Sequence, residues 1–532
     1  MHHRSRETML RRYPRVRLAS APMLIALFFS FSSCDSVDPP PSPVVACSET
    51  LAKSEVESII SHAVEQAQRV NQKVIVALSD REGNVLGVFT MTGARLDPTS
   101  VQVNGSTVTL TNIDIAIRKA RTAAFLSSNQ NAYSTLTACY ITRPHFPPGV
   151  SNTGAGPLFG VGLSSLPFGD IMPNGNALND KPGGVPVFKN GCLAGGMGVS
   201  GAASQFDSSL CIGQSLDETI ALGALAEYAA PQDKRGDNIF IDGIRFLYAN
   251  ASVPAGNFTR TFADALTVGA VEIAYPIPAT PPPQKFPSGE GYVNLDALHN
   301  FNPIAGSILT QSDVQLIIQQ AAIQAARTRA AIRRPVGVAA QVFISVIDVN
   351  GSVLGIWRTP DATIFSYDVS AQKARTALAF SNSSKTNFGN VIRSILGLSS
   401  TQPLAMTTRA VGFLSQDFYP PGIDRDSLGN SLEPGPLFEG TDFKYQRRLL
   451  GLAGLPPYGN GITIFPGGIP LYKNGVLAGA VGVSGDGVDQ DDLIASAGTI
   501  GFEPPANIRC DQFFYKGVRL PYIKTPRQPE IR

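Results

Sequence analysis

One stretch of this chain is written twice, and that repetition limits what the chain can fold into. Residues 183–201 (GGVPVFKNGCLAGGMGVSG) and residues 467–485 (GGIPLYKNGVLAGAVGVSG) agree at 13 of 19 positions without a gap. Shorter blocks recur in the same order, among them KARTA at 119–123 and 373–377 and GPLF at 156–159 and 435–438. A chain of 532 residues is long enough for several domains. The repeat predicts that they are two copies of one fold.

The duplication divides the chain into predicted segments. We place copy 1 at residues 51–250 and copy 2 at residues 306–532, with a linker at 251–305 that contains the sequence ATPPPQKFP. Proline clusters of that kind are typical of connections between folded units. Residues 1–33 are predicted as a signal peptide, and residues 34–50 as a Pro-rich tether.

The first half of each copy shows a helix, a hairpin and a second helix. Apolar residues at helical spacing follow a capping-box pattern that begins at Ser54 and at Ser312. Two apolar runs around a Gly-containing turn, at 74–89 and at 342–357, predict a β-hairpin. The second helix is predicted to begin near Asp114 in copy 1 and Asp368 in copy 2, each a plausible N-cap.

The second half of each copy repeats the alternation after an insertion. The insertions, 141–183 and 417–467, are rich in Pro and Gly. An Asn-Gly turn at 190–191 and at 474–475 then predicts a second hairpin, and a last helix begins near Asp217 and near Asp491. Hairpins build antiparallel sheets. The predicted fold class is therefore α+β, with two tandem copies of an antiparallel sheet flanked by helices.

The amino terminus has the parts of a secretory signal. Six arginines lie within residues 4–17, and an apolar run (MLIALFFSF, 23–31) follows them. Small residues directly before Cys34 resemble the bacterial lipobox, which implies cleavage before Cys34 and lipidation of its thiol. The expected location is the cell envelope, anchored to the membrane on its extracytoplasmic face. The alternatives are an ordinary signal peptide or an uncleaved anchor.

Charge and cysteine content exclude several classes of protein. Lys and Arg number 43 against 41 Asp and Glu, and this balance does not suit a nucleic-acid-binding protein. The five cysteines after Cys34 match no zinc-binding spacing, so no metal site is predicted. Their number is odd, so they cannot all pair within the chain. One or two disulfides, or small buried thiols, are the alternatives.

The repeated motifs resemble those of the GlcG/HbpS-like family, often described as haem-binding or haem-degrading. Each copy carries, in order, a D-x-x-G hairpin turn (80–83 and 348–351), the KARTA helix, and a G-G-[VI]-P hairpin ending in G-V-S-G. The resemblance covers most of the chain and implies a profilin-like or GAF-like three-layer unit. It also implies symmetric oligomers and an association with haem or a related tetrapyrrole. Duplication within one chain and the long insertions depart from the family pattern.

Two basic residues on the second helix are shared by the copies: Lys119 and Arg121 in copy 1, Lys373 and Arg375 in copy 2. An arginine can hold a carboxylate, such as a haem propionate, or a phosphate through two parallel hydrogen bonds. We therefore predict these four residues as cofactor-binding. The alternative is that the arginines bond a sheet edge, a helix end or a neighbouring subunit.

Histidine is the commonest axial ligand of haem iron. His62, on the first helix, is the candidate, but its counterpart in copy 2 is Gln320. His145 in the first insertion lies opposite Phe418, so no histidine is shared by the copies. The alternative for His62 is a residue on the helix surface. The sequence identifies no catalytic residue.

These observations lead to one main functional hypothesis and two alternatives. The main hypothesis is a lipid-anchored, extracytoplasmic protein that binds haem or a related tetrapyrrole for capture, storage or sensing, as a homo-oligomer or pseudo-symmetric assembly. The first alternative is a structural or oligomerisation module without a ligand. The second is an enzyme that acts on haem or on a small carboxylate.

Overall fold

The computed structural model describes residues 47–103, 106–161, 169–172, 178–251, 257–286, 289–382, 387–439, 442–443 and 459–531. The predicted signal peptide, Cys34 and most of the tether lie outside the described residues. Among the residues that are described, none of the helices combines the length and apolarity needed to cross a bilayer.

Copy 1 and the segment that follows it form these helices and strands in chain order: α1 Lys53–Arg69, β1 Ile75–Asp80, β2 Val85–Met91, β3 Thr99–Val103, β4 Ser106–Leu110, α2 Asn112–Phe125, α3 Thr135–Ile141, β5 Gly184–Lys189, β6 Cys192–Ser200, β7 Ser204–Asp207, β8 Ile212–Ser215, α4 Leu216–Ala224, β9 Phe240–Ile241, β10 Ile244–Arg245, α5 Phe262–Leu266, β11 Gly269–Val271 and β12 Gly291–Tyr292.

Copy 2 follows the same order with fewer added hairpins: α6 Gln311–Arg327, β13 Val342–Asp348, β14 Val353–Arg358, α7 Phe365–Ser381, α8 Asn387–Ile395, α9 Thr408–Phe413, β15 Phe438–Glu439, β16 Asp442–Phe443, β17 Gly468–Lys473, β18 Val476–Gly485, α10 Val488–Gly498, β19 Phe514–Tyr515 and β20 Val518–Arg519.

Each copy is built on an antiparallel sheet, which confirms the predicted α+β fold. Within the described residues the strand order is β11-β2-β1-β6-β5 in copy 1 and β12-β14-β13-β18-β17 in copy 2. The first hairpins bulge at the same place, after Leu78 and after Val346. The second hairpins also share a bulge, after Val187 and after Leu471. The duplication therefore extends to local irregularities of the sheet.

The glycines of the repeated hairpin let a helix lie directly on the sheet. A Cβ at Gly198 would lie 2.0 Å from the carbonyl oxygen of Ala116 on α2. A Cβ at Gly482 would lie 2.0 Å from the carbonyl oxygen of Ser370 on α7. No side chain fits at either position, so these glycines are required by close helix–sheet contact.

The other face of each sheet carries a conventional apolar core. In copy 1, α1 and α4 cover it with fully buried side chains such as Ile59, Ile60 and Ile220. In copy 2, α6 and α10 do the same through Ile317, Ile318 and Ile494. Each unit thus has helices on both faces of its sheet, as predicted.

The C-terminal end of α2 and helix α7 contribute to a third core, which both copies share. Phe125, Tyr133 and Phe246 of copy 1 belong to the same buried cluster as Phe365 and Phe380 of copy 2. Every residue of α7 is buried. The two copies therefore pack as an intramolecular pair around these helices.

Some local expectations were wrong. Helix α1 begins at Lys53 rather than after Ser54, with Glu55 accepting from the amide of Ala52 at 2.8 Å. Helix α2 is capped by Thr111, and Asp114 completes a capping box in its first turn. The segment 251–305 also contributes β11 to one sheet and β12 to the other. A propensity pattern identifies the region of a helix start better than its residue.

The cysteines form two disulfides, both within copy 1. Cys47 is bonded to Cys192, and Cys139 to Cys211, while Cys510 is a free, buried thiol. The Sγ of Cys510 donates to the carbonyl oxygen of Pro521 at 3.2 Å. Of the alternatives for the cysteines, copy 1 uses covalent pairing and copy 2 uses burial.

A buried ion network crosses the boundary between the copies. Arg333 is 1% exposed and pairs with both Asp361 and Asp486. It also donates from Nη1 to the hydroxyl of Ser128 in copy 1, at 2.9 Å. Arg81, in the first hairpin turn of copy 1, reaches Asp361 at 2.7 Å. Burial alone would raise the pKa of Asp361, but Arg333 and Arg81 bring it below the ordinary value.

Removing one charge of this network should strongly destabilise the protein. We expect Asp361→Asn to lower the free energy of unfolding by about 3–5 kcal/mol, because it leaves Arg333 with an incomplete set of buried partners. Urea denaturation followed by circular dichroism measures the change. Glu433→Gln is the matched control, since it breaks an exposed pair with Lys516 and should cost less than about 1 kcal/mol. Equal losses in the two variants would contradict this role.

Candidate functional site

The shared lysines lie inside the protein and are fully engaged there. Lys119 is 2% exposed and donates to the carbonyl of Val199 and to Asp217, both at 2.8 Å. Lys373 does the same with Val483 at 2.8 Å and Asp491 at 2.7 Å. In both copies the pair joins the second helix to the last helix of the unit. This arrangement accounts for the lysines without a ligand.

The paired glycines of the repeat make room for this ion pair. Gly183 has a φ of +117°, and a Cβ there would lie 2.7 Å from the Cβ of Asp217. Gly467 has a φ of +111°, and the matching distance to Asp491 would be 2.8 Å. Both conformation and space exclude a side chain.

The shared arginines hold the first hairpin turn in both copies. Arg121 donates from Nε to the carbonyl of Gly83 at 2.9 Å, and Arg375 donates to that of Gly351 at 3.1 Å. Arg375 also forms a two-pronged pair with Asp170, at 2.8 and 2.6 Å. Neither arginine is among the described residues that line the cavity between the two copies.

His62 stands apart from the other predicted site residues. Its ring stacks on Phe258 with centroids 4.2 Å apart, on the outer side of α1. His145 stacks on Phe418 at 5.5 Å and lies 3.5 Å from Asp424. Among the described residues, no group of three or more His, Cys, Asp or Glu side chains is arranged to hold a metal ion.

A cavity of about 390 Å³ lies between the two copies in the described structure. This volume is in the range of small-molecule binding sites. Its apolar wall comes from both copies: Leu126, Phe240, Phe246, Ile332, Phe365 and Phe465. A neighbouring cavity of about 480 Å³ shares Pro157, Arg409, Phe465, Val488 and Lys524 with it. The two cavities are therefore neighbours along the boundary of the copies.

Two polar atoms on the described cavity wall lack a hydrogen-bond partner, the hydroxyl of Tyr133 and Oδ1 of Asp491. Tyr133 is 4% exposed, and its hydroxyl has no hydrogen-bond partner. Burial raises the pKa of Tyr133 well above its usual value, and the negative charge of Asp486 adds to the effect. The side chain is therefore a neutral phenol at physiological pH. A buried hydroxyl without a partner costs free energy, which a ligand atom would recover.

Basic residues line the cavity beside this apolar wall. Arg329, Lys524 and Arg527 all contribute to the lining. Lys524 is paired with Asp489 at 2.8 Å, and Arg329 donates to the main chain of Gln528 at 3.1 Å. Arg527 is exposed and has no described ion-pair partner. The lining also contains Asp242, Asp489 and Asp491. An aromatic wall beside Arg527 suits a flat apolar ligand that carries a carboxylate.

The sequence could not reveal this cavity. Its wall combines Leu126 just after α2, residues of the β9–β10 hairpin of copy 1, and the start of α10. These segments are far apart in the chain and come together only when the copies pack. No local pattern in the sequence marks these residues as parts of one site.

A buried acid distinguishes the two copies near the shared ion pairs. Glu218 accepts from the amides of Asn250 and Ala251 at 2.9 and 3.1 Å, and its Oε1 has no partner. Its counterpart in copy 2, Asp492, pairs with Arg409. Copy 1 has Leu136 at the position of that arginine. Burial raises the pKa of Glu218 to about 7, and the two amides offset this only in part.

Comparisons with known proteins agree on one family. A family model described as "Haem degrading protein HbpS-like" matches residues 51–214 and 309–499. The corrinoid adenosyltransferase PduO of Citrobacter freundii is 25% identical over 168 residues, which are 32% of this chain and 34% of that protein. The chain therefore spans about a third of that relative.

Solved structures are also similar to parts of the chain. The protein ORFY of Klebsiella pneumoniae is 22% identical, and the match covers 35% of this chain and 95% of that one, with a TM-score of 0.24. A structure titled as a PduOC:haem complex is 19% identical, and the match covers 36% and 92% of the two chains, with a TM-score of 0.19.

The raised pKa of Glu218 predicts a pH-dependent stability. Between pH 4.5 and about 7 the folded carboxyl keeps a proton that the unfolded chain has lost, so the free energy of unfolding falls as pH rises. We expect Glu218→Gln to match the wild type below pH 4.5 and to exceed it by roughly 2–3 kcal/mol above pH 8. Chemical denaturation across pH measures the gap. Exposed Glu227→Gln is the control, and a gap for Glu218→Gln that stays constant with pH would refute the assignment.

Proposed function

The chain belongs to the HbpS-like family, described as haem-degrading, and from this we propose that it binds haem or a related tetrapyrrole in the cavity between its copies. The observation that carries the proposal is the composition of that cavity. Aromatic and aliphatic side chains form its wall, and the unpartnered hydroxyl of Tyr133 lies among them. A tetrapyrrole combines a flat apolar ring with carboxylates, and both parts find suitable partners there.

The residues present fit a tetrapyrrole better than they fit strong iron ligation. No histidine, methionine or cysteine is among the described residues that line the cavity. A tyrosine can ligate haem iron, but Tyr133 in the protein alone is a neutral phenol. Binding would rest on burial of the ring, with Tyr133 as a hydrogen-bond donor, or as an iron ligand whose phenolic proton would pass to solvent on coordination. Lys524 and Arg527 would hold the propionates.

The arrangement favours binding over catalysis. Within the described structure, the shared charged residues Lys119 and Lys373 are held in internal ion pairs. Of these two pairs, Lys373 with Asp491 lines the cavity, and the two side chains are bonded to each other at 2.7 Å. A ligand-free assembly module remains the second candidate, favoured by the extensive core that α7 shares with copy 1.

An extracytoplasmic, lipid-anchored location is part of this proposal. The basic and apolar leader and Cys34 support it. The pairing of Cys47 with Cys192 and of Cys139 with Cys211 supports it independently, because disulfides persist in oxidising compartments. The described part of the chain would then stand beyond a Pro-rich tether.

Haemin titration tests the proposed ligand. We expect one haemin per chain, with a shifted Soret band, when haemin is added to the protein without its leader. Tyr133→Phe should displace the band or weaken binding, while Tyr140→Phe, whose ring does not line the cavity, should not. Absence of a Soret shift would refute tetrapyrrole binding. Loss of the band with ascorbate and oxygen much faster than that of free haemin would favour the enzyme alternative.

The basic side chains provide a second test of the same site. We expect Lys524→Gln combined with Arg527→Gln to weaken haemin binding by roughly tenfold, since each carboxylate loses a charge-assisted hydrogen bond. Lys516→Gln is the control, because Lys516 is paired with Glu433 and is not a cavity residue. Equal affinities of the double variant and the wild type would exclude these residues as propionate partners.

Cell fractionation tests the anchor. We expect the wild type to sediment with membranes and to incorporate labelled fatty acid, and Cys34→Ser to do neither. Cys510→Ser is the matched control, since Cys510 is buried in copy 2. Membrane association of Cys34→Ser without the label would indicate an uncleaved anchor in place of the lipid.

A further inference from the structure

Equivalent arginines of the two copies are held in the same way but end differently. Both Arg121 and Arg375 donate from Nε to the carbonyl of the glycine in the first hairpin turn. That bond fixes each guanidinium and leaves its two Nη atoms for other partners. In copy 2 the Nη atoms of Arg375 bond Asp170 and Asn460. In copy 1 the surroundings of Arg121 are different.

In copy 2 the arginine binds a carboxylate of the chain itself. Arg375 meets both oxygens of Asp170 at 2.8 and 2.6 Å, and Asn460 accepts from the same guanidinium. Asp170 belongs to the insertion of copy 1, and its side chain is 28% exposed. A Cβ at Gly459 would lie 2.4 Å from the carboxyl carbon of Asp170, so the backbone is shaped around this group. Copy 2 thus contains a carboxylate-binding site, and the side chain of Asp170 occupies it.

In copy 1 the corresponding position has more positive charge and no carboxylate partner among the side chains that the structure describes. Arg118 takes the place of Gln372, and neither Arg118 nor Arg121 forms an ion pair with any acid whose side chain the structure describes. Asp114, on the same helix, is engaged with the amide of Thr111 at 2.7 Å. Burial lowers the pKa of Arg121, Arg118 adds to this, and Tyr275 and Asp80 act in the opposite direction. Two partly buried guanidinium groups side by side favour an anion.

The sequence of copy 2 contains no counterpart of Asp170 that could pair with Arg121. Counting back from the shared Gly-Gly pairs at 183–184 and 467–468, Asp170 corresponds to Gly454. The stretch 444–458 around that position (KYQRRLLGLAGLPPY) contains neither Asp nor Glu. Copy 2 therefore has no carboxylate there to offer to Arg121.

We propose that copy 1 binds a small organic carboxylate at Arg118 and Arg121. The template is the Asp170–Arg375 pair, because the end of an aspartate side chain is a tethered acetate. A planar carboxylate matches the two-pronged geometry of that pair better than a tetrahedral phosphate does. The site is separate from the tetrapyrrole proposal, since neither arginine lines the cavity between the copies.

Calorimetric titration with acetate, succinate and inorganic phosphate at low ionic strength tests the site. We expect the wild type to bind one acetate or succinate per chain, and Asp170→Asn to bind two, because Arg375 is then released. Arg118→Gln introduces the residue that copy 2 has at this position, and Arg121→Lys keeps the charge but removes the two parallel hydrogen bonds of the guanidinium. Each change should weaken carboxylate binding by roughly tenfold or more relative to the wild type. Arg327→Gln, an exposed arginine on α6, is the control.

The outcomes separate this inference from the tetrapyrrole proposal. Absence of carboxylate binding by the wild type, binding unaffected by both arginine changes, or binding of phosphate alone would overturn it. An unchanged stoichiometry in Asp170→Asn would overturn the equivalence of the two sites. Haemin is titrated into the same variants, and failure of haemin to bind while acetate still binds would overturn the tetrapyrrole proposal only.

Discussion

The buried pairing of Arg333 with Asp361 and Asp486 is the interaction on which the assembly of this chain depends. Ionised groups taken out of water need several partners each, and here the partners come from both copies. Asp361 of copy 2 receives Arg81 and the amide of Asn129 from copy 1. Neither copy alone completes the network, so the apolar core around α7 and the charges beside it specify a single way of joining the halves.

The two copies have kept what the fold requires and changed what faces outward or towards each other. Gly198 and Gly482 remain because a helix lies on them, and the Lys119–Asp217 and Lys373–Asp491 pairs remain because they connect helices across each unit. Elsewhere the copies differ: one has disulfides, the other an additional arginine at position 409. A duplicated gene product can specialise one copy while the other keeps the framework.

Much of the fold could be predicted from the chain alone, because its signals are local. The Asn-Gly turns, the alternation of helix and hairpin, and the tandem copies all followed from short patterns, and the family resemblance was confirmed. The candidate site could not be predicted in the same way. Lys119 looked available for a ligand, yet its partner Asp217 is 98 residues away. Tyr133 carries no signal in the sequence, because its lack of a hydrogen-bond partner depends on packing between the copies.

The disulfide between Cys47 and Cys192 has a mechanical consequence. Cys47 precedes α1 in the chain, and Cys192 is the first residue of β6, which lies between β1 and β5 in the sheet. Tension applied through the residues before Cys47 would pass by covalent bonds directly into this inner strand. Helix α1 and the first hairpin would be bypassed and would not peel away under load. Reduction of this one bond would redirect the same force to α1.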